Sequence, residues 1–197
     1  MPFEAQPAVE AHPMFEVPPE DEQALGPPGD PETVARTICL RLLDQRARTR
    51  AELADALRRK GVPDEPAAAV LDRFAEVGLI DDEALAGTFA LAQHRERGLA
   101  RRAVAVKLRR RGLDEQVVAA ALGPIDRDSE YAAARTLVAK KLRSLSGLDP
   151  QAQARRLVGL LGRRGYPAGL AHEVVREALA AAMADTSTLD DAAADLT

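Results

Sequence analysis

GLIDDEALAGTFALAQHRERGLARRAVAVKLRRRG, residues 78–112, opens on a turn and an acidic helix start, crosses an apolar run, and closes in a basic helix that ends at glycine. Asp81 or Asp82 can cap the first helix, which begins near Glu83 and carries Leu85, Phe89 and Ala92 on its inner line. Gly98 ends it. The second helix spans Leu99 to Arg111 and gathers Val104, Ala105 and Leu108 on one face. Arg101, Arg102, Lys107, Arg109, Arg110 and Arg111 surround the remainder, with no acidic residue inside the helix. A last helical turn favours cations, which accounts for Arg109 to Arg111 but not for Arg101 and Arg102. The excess marks a binding surface for an anionic partner.

The closing pattern Leu108-Arg109-Arg110-Arg111-Gly112 has a twin at Leu57-Arg58-Arg59-Lys60-Gly61 and a third copy at Leu161-Gly162-Arg163-Arg164-Gly165. The anchor glycines are 51 and 53 residues apart. Apolar residues stand eight and four positions before each glycine: Leu53 and Leu57, Val104 and Leu108, Leu157 and Leu161. Nine and ten positions after it stand Val70 and Leu71, Ala121 and Leu122, Val174 and Val175. Three anchors matched on both flanks predict tandem repeats of three helices, each unit covered in part by its neighbour.

In the first unit, Pro31 and Glu32 suit a helix start, and Thr49 with Glu52 forms a capping box for the next helix. Asp64 starts the third, which Gly78 stops. In the third unit, Asp149 and Pro150 open a helix by capping and by proline at its first turn, and the last helix is expected over about Ala168 to Ala180. The expected fold is all-α, an elongated, curved array of repeats at 34–78, 79–125 and 126–180. Residues 1–33 are acidic and proline-rich and read as a disordered tail; 181–197 read as a frayed acidic one.

The net charge of −4 conceals this layout. All 27 Lys and Arg fall between residues 34 and 180 beside 19 acidic residues, so that body carries +8 and the tails together −12. Such a body can engage nucleic acid or an acidic protein surface, and the tails can compete for the same face. Aromatic residues make up 3% of the chain, too few for a base-stacking platform. The single cysteine, Cys39, lies in an apolar helical run and reads as a buried thiol. The sequence shows neither a membrane span nor a signal peptide, and a cytoplasmic monomer is expected.

Catalytic chemistry finds no footing. Gly159, Gly162 and Gly165 belong to a helix-ending pattern and make a poor phosphate loop. Asp81, Asp82 and Glu83 could suggest a divalent cation but occupy a helix start, where acids cap donors. His94, beside Arg95 and Arg97, reads as a polar contact or a surface residue and has no identifiable nucleophile nearby, and His172 reads the same way. No enzyme, metal or cofactor is expected. A winged-helix reading of the first unit fails, because Gly78-Leu79-Ile80-Asp81 leads into helix and not into a hairpin.

The order of these marks resembles the RecX family of bacterial regulatory proteins. They are Leu42-Leu43 with Arg46-Ala47-Arg48-Thr49-Arg50, then Glu52-Leu53 through Gly61, then Gly78 to Glu83, and finally Gly98 with the basic segment to Gly112. The resemblance covers about residues 34–180. It implies tandem three-helix repeats that bind RecA recombinase filaments and restrain recombination and the SOS response, with DNA, single- or double-stranded, as a further partner. The binding candidates are Arg46, Arg48, Arg50, Arg58, Arg59 and Lys60 in the first unit, and Arg95, Arg97, Arg101, Arg102, Lys107, Arg109, Arg110 and Arg111 in the second. A direct DNA-binding helical regulator and a non-catalytic helical adaptor are the rival readings.

Overall fold

Each recurrent Leu-x-x-x-Gly segment ends a helix in the same way, and those endings set the architecture. At the first, the Gly61 N–H donates to the carbonyl of Arg58 and the Val62 N–H to that of Leu57, both at 3.1 Å. This is the Schellman closure, in which glycine takes the left-handed conformation and an apolar residue folds back on the last inward-facing leucine. Gly61, Gly112 and Gly165 have φ of 76°, 76° and 88°. Leu57, Leu108 and Leu161 are wholly buried, and Val62, Leu113 and Tyr166 are buried beside them.

The computed structural model describes residues 29–194, and the side chains of residues 29–184. The tail expected as disordered lies outside the described residues over 1–28, as do residues 195–197. The first unit comprises α1 (Pro31–Gln45), α2 (Arg50–Arg59) and α3 (Asp64–Glu76). The second comprises α4 (Asp82–Arg95), α5 (Arg101–Arg110) and α6 (Glu115–Ala121). The third comprises α7 (Arg127–Leu142), a 3-10 turn at Arg143–Leu145, α8 (Pro150–Arg163) and α9 (Ala168–Ala194). The molecule is all-α, an elongated array of three-helix repeats.

Each unit owns a core. Cys39, Leu53, Leu57, Leu71 and Phe74 gather in the first, Ala90, Val104, Leu108, Val118 and Ile125 in the second, and Val138, Leu157, Leu161, Tyr166 and Val174 in the third. Every apolar position predicted on either flank of the three anchor glycines is buried. Local chemistry starts the helices, as expected at Thr49, Asp81 and Asp149. Thr49 and Glu52 close a full capping box, and Asp30, Asp81, Asp114, Asp126 and Asp149 each accept a backbone N–H at a helix start. α9 departs from expectation by running to Ala194, because the alanines beyond Ala180 are the strongest helix formers available.

The units meet through their second helices. Thr49, which caps α2, donates its hydroxyl to the carbonyl of Arg111 at 2.7 Å, so the end of α5 abuts the start of α2. The N–H of Ala100, which precedes α5, donates to the carbonyl of Arg164 at 3.0 Å, so the end of α8 abuts the start of α5. The glycine after each corner is where the backbones close in. A Cβ on Gly112 would lie 2.4 Å from that of Ala51, and one on Gly165 2.7 Å from that of Ala103.

Candidate functional site: a cationic cleft and the outer face of α5

The candidate arginines divide into those the fold consumes and those it leaves to solvent. Arg111 belongs to the first group. Its guanidinium grips both carboxylate oxygens of Glu52, at 2.9 and 3.0 Å, and lies 5.3 Å from the centre of the Phe89 ring. Burial pushes the Glu52 carboxyl up, but hydrogen bonds and charge from Arg111, the Thr49 N–H and the charge of Arg46 outweigh it and hold the group below its ordinary value. Arg46 adds a 3.3 Å contact to the same carboxylate. Arg48 donates to the carbonyl of Leu42, and Arg50 pairs with Asp72 at 2.7 Å. Of these four side chains Arg111 crosses the first seam, while Arg46, Arg48 and Arg50 are held within the first unit beside it.

Arg101 is consumed too. Its guanidinium donates to the carbonyls of Leu122 and Ile125 and so closes the C-terminus of α6. Arg109 pairs with Glu115 through two hydrogen bonds, and Arg58 pairs with Asp55. The helix of residues 101–111, which lacks acidic partners in its own sequence, therefore finds two of them across loops and seams, in Glu52 and Glu115. Among the described residues, no ion pair or hydrogen bond holds the side chains of Arg59, Lys60, Arg95, Arg97, Arg102, Lys107 or Arg110, and all seven are exposed.

Arg102, Val106 and Arg110 stand four residues apart along α5 and so share its outer face. Val106 is 40% exposed, an apolar spot set between two free guanidinium groups. Around the helix, Lys107 turns into an open cleft of about 910 Å³ at the seam between the second and third units. Arg97, Lys140, Lys141 and Arg164 line the same cleft, with Glu96 as the single acid. Arg164 is half-held, because it donates to the carbonyl of Arg97. A larger groove of about 1100 Å³ lies among α7, α8 and α9, but Leu142, Val174, Leu179 and Met183 give it an apolar floor, and the cations concentrate elsewhere.

Sequence reasoning did not reach Lys140, Lys141 and Arg164. The signal for Arg164 was present, since it occupies in the third anchor the place that Arg111 holds in the second. Lys140 and Lys141 read only as cations ending α7, and nothing local shows that the turn after them faces Lys107. His94 is the polar contact of its two expected readings and not the surface residue. It is buried, with Nδ1 2.9 Å from the carbonyl of Leu99, because Gly98 turns the chain back over the end of α4. Asp81 caps α4 as expected, while Asp82 reaches out of its own unit to accept the Arg50 N–H at 3.0 Å. Among the described residues no group of three or more His, Cys, Asp or Glu could hold a metal ion, and no helix is long and apolar enough to cross a membrane.

An end-to-end row of three-helix units defines a helical-repeat protein. Family models for the first, second and third three-helix domains of RecX match residues 35–74, 81–122 and 128–175. The chain is 51% identical over 162 residues to the regulatory protein RecX of Thermobifida fusca, covering 79% of this chain and 88% of that one. It is 49% identical over 165 residues to that of Streptomyces lividans, covering 84% and 88%. The crystal structure of RecX from Lactobacillus salivarius superimposes with a TM-score of 0.69 at 17% identity, over 76% of this chain and 97% of that one, a likeness of fold. The chain belongs to the RecX family of regulatory proteins.

Proposed function

We propose that this regulatory protein binds the RecA nucleoprotein filament and restrains its recombinase, ATPase and coprotease activities. The observation that carries this reading is the outer face of α5, where Arg102 and Arg110 flank the exposed Val106. Arginine is enriched at protein-binding hot spots, and free guanidinium groups also suit carboxylates and phosphates. The adjoining cleft, with Arg97, Lys107, Lys140, Lys141 and Arg164, gives a polyanion a place beside that protein contact.

The test is inhibition of ATP hydrolysis by RecA on single-stranded DNA. A variant carrying Arg102→Ala, Val106→Asp and Arg110→Ala should keep its helical content and lose most of its inhibition. Full inhibition by that folded variant would remove α5 from the interface. A second reading, direct binding to DNA, is favoured by the cleft alone. It predicts that Lys107→Ala with Lys140→Ala and Lys141→Ala lowers affinity for DNA in the absence of RecA. It also predicts a salt dependence shallower by about 0.7–0.9 in logarithmic slope for each phosphate contact removed.

A further inference from the structure

The second helices form a row in which each corner docks on the start of the helix before it, and the row is open at both ends. At the closed seams, three contacts repeat. The carbonyl of the residue before the anchor glycine accepts a hydrogen bond from the residue capping the preceding second helix, Arg111 from the Thr49 hydroxyl and Arg164 from the Ala100 backbone N–H, the Thr49 N–H being held by Glu52 instead. The side chain of that same residue reaches a carbonyl two or three positions before the cap, Ala47 for Arg111 and Arg97 for Arg164. The glycine itself lies against a small residue of the first turn, Ala51 or Ala103.

The first corner, Lys60 and Gly61, has the same Schellman geometry and no partner. Among the described residues the Lys60 carbonyl accepts no hydrogen bond and its ammonium has no ion pair. A Cβ on Gly61 would meet nothing within 4 Å. At the other end of the row, the start of α8 has the complementary vacancies. Asp149 caps it, and its backbone N–H has no acceptor among the described residues, unlike that of Ala100 at the equivalent position. The carbonyls of Ser146 and Gly147, three and two positions before that cap, accept no hydrogen bond among the described residues. Ala152 stands in the first turn where Ala103 stands in α5.

We propose that the Lys60–Gly61 corner of one molecule docks on the start of α8, at Asp149 to Ala152, of a second copy of this chain. In that seam the Asp149 N–H donates to the Lys60 carbonyl, the Lys60 ammonium reaches the Ser146 and Gly147 carbonyls beside the Asp149 carboxylate, and Gly61 lies against Ala152. The two closed seams are the warrant, because each open end carries the half of the contact that the other lacks. The contact joins two different surfaces, so it is heterologous and lets further copies add head to tail. A single such seam is weak, which leaves the chain monomeric when dilute, as the sequence reading expects.

The test uses the full chain alone and is therefore independent of any interaction with RecA. Sedimentation over a rising concentration series should show an average mass that climbs past the dimer without a plateau. Lys60→Glu should move that climb to roughly threefold to tenfold higher concentration, the range expected from turning one exposed attraction into repulsion. A constant monomer mass, a plateau at dimer, or a Lys60→Glu variant that matches the wild type each overturns the proposal. The first of these leaves the corner to the helix start of some other protein. As a second measurement, the double variant Lys60→Cys with Gln151→Cys should oxidise to covalent trimers and larger species. Each single variant should stop at dimers. Absence of species above the dimer in the double variant counts equally against the contact.

Discussion

Gly112 and Gly61 are equivalent residues with equal φ, yet only one is enclosed. Alanine at either position must hold a left-handed backbone, a cost of about 1–2 kcal/mol. At Gly112 the new Cβ also meets Ala51 at 2.4 Å, and overpacking of that kind adds about 1–3 kcal/mol. Urea unfolding should therefore place Gly112→Ala well below Gly61→Ala in midpoint; equal midpoints would mean that the seam yields freely. Glu52 allows a second comparison. Its folded pKa lies below the ordinary 4.5, so its contribution is complete above that value and is lost as pH falls through the lower folded value. Acid titration of the wild type should show a loss of stability there that Glu52→Gln, which retains the capping-box geometry, lacks. At this scale the sequence is only half readable. Thr49 and Glu52 announce their capping box three residues apart, but the Thr49 hydroxyl finds Arg111 and Arg111 finds Glu52 across about sixty positions. Arg101 gives no local sign that it closes another helix.

Helices, by contrast, were written plainly. Leucine before the basic run, glycine after it and an apolar residue next supply every part of a Schellman ending, and Thr or Asp supplies the cap at the start of α1, α2, α4, α6, α7 and α8. What the pattern could not place was the end of α9, since an alanine run carries no stop signal, and the burial of His94, which follows from the turn at Gly98 and not from helical periodicity. Separate cores lead to an expectation about how the elements fail. Leu161→Ala empties a wholly buried site in the third unit and should cost about 2–5 kcal/mol. Hydrogen exchange should quicken in α7, α8 and α9 more than in α1 to α3, as nearest-neighbour repeats require. Cys39 reports from the first core. Burial pushes its thiol up to about 11, so native protein should resist alkylation, and Leu161→Ala should leave that resistance largely unchanged. Equal acceleration at both ends would show that the array unfolds as one body.

For the whole molecule, charge layout was legible and its division of labour was not. A basic body of +8 between acidic tails pointed to an anionic partner. Only the packing shows that Arg111 ties two units together, that Arg46, Arg48, Arg50 and Arg101 are held within their own units, and that Arg102, Lys107 and Arg110 stay available. Replacing the first set should lower the melting temperature; replacing the second should lower binding with melting unchanged. The row of second helices has one more consequence. Every corner points the same way along it, from α8 through α5 to α2, so the molecule has a head and a tail that no rotation exchanges. A body with that polarity, laid along a polymer that also has a direction, has a single matching orientation.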